Sequence, residues 1–141
     1  MKHIIVLFAA IAMLGCNDVK IGYLNADGAE YAPAEMTIPK EIDATYPNYY
    51  VRIQYESPWV TSIIQGVLGT SPIRYEIADV KASDGGDADM FKSELVMGGV
   101  GRMEVPLYPE SPAGKYVISV KIYNESYSHI LEDAYTFTII D

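Results

Sequence analysis

The sequence predicts an all-β fold, a single antiparallel β-sandwich of about seven to eight strands. Three observations carry this. Apolar side chains recur at every second position in five separate segments, the period of a strand with one face in and one face out. Pro and Gly are spread along the chain as turn punctuation. Helix signals are few, and five amphipathic strands need a second sheet to cover their apolar faces.

The chain of 141 residues begins differently from the rest. Lys2 is followed by an unbroken apolar run from Ile4 to Leu14, then Gly15 and the single cysteine, Cys16. A basic residue, a short apolar stretch and a small residue before the cut are the layout of a secretory signal peptide. The run is shorter than the roughly 20 residues that span a bilayer. Met13-Leu14-Gly15-Cys16 resembles the lipobox of bacterial lipoproteins. That resemblance implies cleavage before Cys16 and a diacylglycerol thioether on its sulfur. It divides the chain into a signal peptide (1–15), a lipidated Cys16 with a short tether (16–20) and a β-sandwich domain (21–141). A lone cysteine forms no internal disulfide, so stability rests on the core.

The elements follow in order. Lys20 to Leu24 and Glu35 to Pro39 are short candidate strands, with Pro39 at an end because it cannot donate to a ladder. Tyr49, Val51, Ile53 and Tyr55 alternate with Tyr50, Arg52, Gln54 and Glu56, which predicts a strand with Tyr50 pointing outward. Ser57 to Leu68 reads as a strand or a loop with apolar anchors, since Gly66 and Gly69 disfavour a helix. Ile73, Tyr75 and Ile77 alternate, but the same register would bury Asp79 and expose Val80. A β-bulge near Ala78 or Asp79 corrects this, the alternative being that the strand leaves the sheet there. Asp87 to Glu94 suits one or two helical turns, with Asp87 as N-cap and Asp89 in the first turn. Leu95 to Met97, Met103 to Leu107, Tyr116 to Ile122 and Tyr135 to Ile139 complete the strands.

The second half has a further pattern: "SPIRYEIADV", "GGDADMF", "GRMEVPL", "PAGKYVISVKIYN" and "DAYTFTII". In this order Tyr75, Ile77, Phe91, Gly101, Gly114 and Tyr116 resemble the framework of cadherin-like and immunoglobulin-like domains of Bacteroidetes-type lipoproteins. The resemblance covers about half the chain and implies an immunoglobulin-like or cadherin-like sandwich. It also implies an outer-membrane lipoprotein, often an accessory of carbohydrate uptake. Asp18 is the one acidic residue just after Cys16, which leaves open a periplasmic or surface-exposed orientation.

Composition limits the function. With 10 Lys and Arg against 19 Asp and Glu, the net charge is −9, which disfavours nucleic acid. Outside the signal peptide the one histidine is His129. It lies near Ser126, Ser128, Glu132 and Asp133, but triads are assembled in space, and a polar hairpin loop accounts for this stretch. One histidine without a free thiol makes no ordinary zinc site. Asp84, Asp87 and Asp89 form the one candidate hard-cation site, for calcium, against a reading as a turn and a capped helical turn. An enzyme is not expected. The candidate ligand-binding residues are aromatic: Tyr50, Trp59, Tyr123 and Tyr127, with Trp59 read first as core. Exposed rings give flat contact area for sugars or protein partners. The expectation is a membrane-anchored, non-catalytic envelope module that binds a glycan or another envelope protein. The alternative is a structural or adhesion module in a protein assembly, with an enzyme or enzyme inhibitor behind both.

Overall fold

A computed structural model describes residues 19–141. The signal segment and Cys16 lie outside the described residues. Strands take up 41% of the structure and helices 15%, so the fold is mostly β, in several sheets and with no barrel. That is compatible with the expected sandwich.

The described residues form nine strands: β1 (Leu24–Asn25), β2 (Glu35–Pro39), β3 (Trp59–Val60), β4 (Leu68–Gly69), β5 (Arg74–Ser83), β6 (Val96–Met97), β7 (Met103–Val105), β8 (Gly114–Tyr123) and β9 (Ser128–Ile140). Two α-helices interrupt them, α1 (Pro47–Gln54) and α2 (Ala88–Glu94), with a short 3-10 turn at Gly99–Gly101. The main sheet has the order β2-β9-β8-β5, a second has β3-β7-β6, and β1 pairs with β4. All pairings are antiparallel except β2 with β9, which run parallel. The expectation of a purely antiparallel fold is corrected there. β2 joins the far edge of β9 in the same direction, which a local hairpin cannot produce.

The alternation in β8 and β9 works as the sequence implies. Tyr116, Ile118, Val120 and Ile122 are buried on β8, as are Tyr135, Phe137 and Ile139 on β9. Ile38 of β2, Met103 and Val105 of β7, and Phe91 of α2 join the same core. Phe91 stacks on Tyr116 with ring centroids 4.2 Å apart. β5 shifts register between Ile77 and Asp79, leaving Asp79 exposed and Val80 buried. The expected bulge is present. β9 is irregular too, opposite Ser119 of β8. There Asp133 takes φ 48° and its N–H donates to Ser119 Oγ at 3.0 Å, giving this buried hydroxyl a partner.

The segment from Tyr49 to Tyr55 is the main correction. It is helical, not a strand. Pro47 sits in the first turn, where its fixed φ suits a helix and its missing N–H costs nothing. The partly buried positions are Tyr49, Arg52 and Ile53, at helical spacing, while Tyr50, Val51, Gln54 and Tyr55 are exposed. Tyr-Tyr-Val-Arg-Ile-Gln-Tyr satisfies both periods over so short a window, and packing on Trp59 selects the helical one.

Candidate functional site

α1 has no fully buried residue, yet it is fastened to the domain along one side. Its anchor is Trp59 of β3, which is 8% exposed. The indole N–H donates to the Leu107 carbonyl at 3.1 Å, and the backbone of Trp59 pairs with Val105. Above the ring lie two residues of α1. The Arg52 guanidinium stands 4.2 Å from the ring centroid, and Tyr49 meets it edge-on at 6.3 Å. Arg52 also donates to the Pro58 carbonyl at 2.7 Å, which fixes the guanidinium over the indole. Trp59 is therefore the floor of the helix and not part of an open surface.

The opposite side of α1 faces solvent. Tyr50 is 56% exposed, and Tyr46, Val51 and Tyr55 are exposed as well. Tyr46 is the extended N-cap residue of the helix, and its ring meets that of Tyr49 edge-on at 6.3 Å. Gln54 and Asn48 are the exposed amides of the helix. Arg52 is the only charged residue in Pro47–Gln54, and it is turned inward. The solvent-facing surface of Pro47–Gln54 thus carries a phenol ring, an aliphatic side chain and amides with no outward charge, and exposed Glu56 follows it. Reading the segment as a strand brings out Tyr46, Tyr49 and Tyr50 as an aromatic cluster but turns Val51 and Tyr55 inward, where the helix leaves both exposed. The available signal was Pro47 between two tyrosines four apart.

Tyr123 and Tyr127 sit elsewhere, on either side of the turn joining β8 to β9. Both are half-buried. Lys121 Nζ lies 4.9 Å from the Tyr123 ring centroid, and Lys20 Nζ lies 5.1 Å from that of Tyr127. A depression of about 330 Å³ beside Tyr123 is lined by Pro72, Arg74, Asn124 and Glu125. Asn124 is committed to the fold. Its amide donates to the carbonyls of Tyr23 (2.8 Å) and Thr70 (3.2 Å), and its oxygen accepts from the N–H groups of Ser126 and Tyr127. The structure thus separates the four aromatic candidates into an open helix face, its buried floor, and a hairpin end.

His129 lies within β9, paired with Ile122, so the expected polar hairpin loop is instead the start of a long strand. Asp84 occupies a left-handed turn position at φ 57°, and Asp87 caps α2 by accepting from Met90 N–H at 3.1 Å. Asp89 stands in the first turn of that helix. Among the described residues no three His, Cys, Asp or Glu side chains are grouped to hold a metal ion, so Asp84, Asp87 and Asp89 do not converge. No protein-family model, curated protein or solved structure matches the chain.

Proposed function

We propose that this protein is a lipid-anchored, non-catalytic binding module of the bacterial cell envelope, built on an immunoglobulin-like sandwich, and that the outward face of α1 binds a neutral glycan. Cys16 is the lipid attachment point and the outer membrane the site of action. The observation that carries the ligand assignment is the uncharged face of α1. Aromatic rings supply flat apolar area at low entropic cost, and Gln54, one turn after Tyr50, supplies hydrogen bonds without selecting an ion. An anionic ligand would be repelled by the net charge of −9, and nothing on this face would hold a cation.

The test is a glycan microarray with the purified protein, followed by titration of the retained sugar. Tyr50→Ala is expected to weaken binding by roughly tenfold, about 1.4 kcal/mol, with melting unchanged. Retention of no neutral glycan, or equal affinity of the variant, would sink the assignment. The second reading, a structural or adhesion module, draws on β2. It is an end strand of the main sheet, laddered on one side only to β9, and an end strand is where another chain's strand would add.

A further inference from the structure

The described chain begins at the hairpin end of the domain. Ile21 N–H donates to Ser126 Oγ at 3.0 Å, and Lys20 lies over Tyr127. Gly22 then turns the chain at φ 77°, with no room for a side chain, since a Cβ there would fall 2.2 Å from Thr70 Oγ1. Tyr23 and Thr70 exchange hydrogen bonds (3.1 and 3.0 Å), and Asn124 clamps both carbonyls. This end is therefore a fixed structure rather than a loose leader. It lies opposite the end of the main sheet where β8 begins and β9 finishes, because Gly114 pairs with Ile139 and Tyr123 with Ser128.

What this end shows to solvent is apolar. Val19, Ile21, Tyr23 and Leu68 are each more than half exposed. Lys20 is the only charged residue between Val19 and Asn25, and at the turn Arg74 and Glu125 stand beside Tyr123. Only two residues, Asn17 and Asp18, separate Val19 from Cys16. A fully extended chain covers at most about 3.6 Å per residue, so Val19 stays within roughly 11 Å of Cys16.

We infer that this hairpin end rests directly on the bilayer, with Ile21, Tyr23 and Leu68 seated in the lipid headgroup region. The inference deepens the lipid-anchor reading and rests on it. A lipid on Cys16 leaves too little chain to hold the domain clear of the membrane. The residues brought down are of the right chemistry: aliphatic side chains, tyrosine with an apolar ring and polar tip, and a lysine able to reach phosphate. Two cations against one carboxylate leave this end only weakly basic, so contact depends chiefly on apolar burial, with Lys20 and Arg74 placed to meet phosphate. The α1 platform would remain free for its ligand.

The test uses the full lipidated chain in phosphatidylcholine vesicles, carrying Tyr23→Trp, Leu68→Trp or, as a control, Tyr50→Trp. Lipids brominated near the headgroup end of the acyl chains serve as quenchers. Trp59 is buried and supplies a constant background. Fluorescence from the probes at 23 and 68 is expected to fall by half or more, with the probe at 50 unaffected. Two probes keep the test decisive if one variant fails to fold. Protein that floats with the vesicles while both probes stay unquenched overturns the inference alone. Protein that does not float, and whose N-terminal peptide lacks the lipid mass, overturns the anchor reading as well.

Discussion

At the scale of single residues, Trp59 and Tyr50 show how neighbouring aromatics divide their work. Trp59 buries its indole under Arg52 and Tyr49 and spends its N–H on the Leu107 carbonyl. Truncating such a side chain removes buried apolar area and leaves a cavity and an unpaired carbonyl. Trp59→Ala is therefore expected to cost about 3–5 kcal/mol in urea unfolding, and Trp59→Phe distinctly less. Unchanged unfolding with lost ligand affinity in Trp59→Ala would show the indole to be a contact residue instead. Tyr50 has the opposite profile. Its ring is exposed, so its loss should be nearly silent in stability and visible only in binding. The sequence shows both residues as aromatics near one another. Their roles differ because Tyr50 stands on the outer side of a helix that packs on Trp59, which the alternation conceals.

At the scale of elements, α2 offers the cleanest test of local sequence logic. Asp87 accepts from Met90 N–H, and Phe91 one turn on is fully buried against Tyr116 and Phe137. Asp87→Ala leaves an amide of the first turn unpaired and should cost about 1 kcal/mol, read as a lower Tm. Asp87→Asn should retain most of it, and equal losses in the two variants would mean that charge rather than capping matters. This helix was legible because its N-cap, first-turn acid and apolar anchor agree. β8, β9 and the β5 bulge were legible because long alternation leaves one register that buries Ile118, Val120 and Val80. Three things were not. α1 is too short for its period to be unique. β2 pairs in parallel with a strand about a hundred positions away, which no local signal reports. The first residues of β9 include Ser128, His129, Glu132 and Asp133, polar side chains that suit a loop. Pairing with β8 holds Ser128 to Leu131 in the strand, and Asp133, at the irregularity beyond, is in ionic contact with Lys81 at 3.0 Å.

At the scale of the molecule, the two main sheets are joined by a tyrosine. Tyr31, buried in the loop before β2, donates its hydroxyl to the carbonyl of Gly101, next to β7 of the smaller sheet. Its ring meets Tyr135 of the main sheet edge-on at 5.2 Å. Burial first, and then the neighbouring Tyr135 and Tyr75, hold the Tyr31 hydroxyl far above its ordinary range. Burial also raises Tyr135, with Glu35 adding to it, and raises Tyr75. In each case the folded state favours the neutral phenol, while the unfolded chain releases its proton near the ordinary value of about 10. The contribution is fully present below about pH 10 and is lost as pH rises through the folded values. Thermal melts should therefore give a Tm that is insensitive to these tyrosines from neutrality to about pH 10 and falls above it. Tyr31→Phe separates charge from packing. It orphans the Gly101 carbonyl and should lower stability at neutral pH by about 1–3 kcal/mol. It also removes the phenol that most resists ionising, so the alkaline decline should become shallower. A decline as steep as in the parent chain would place the alkaline weakness elsewhere and deny Tyr31 its part in holding the two sheets together.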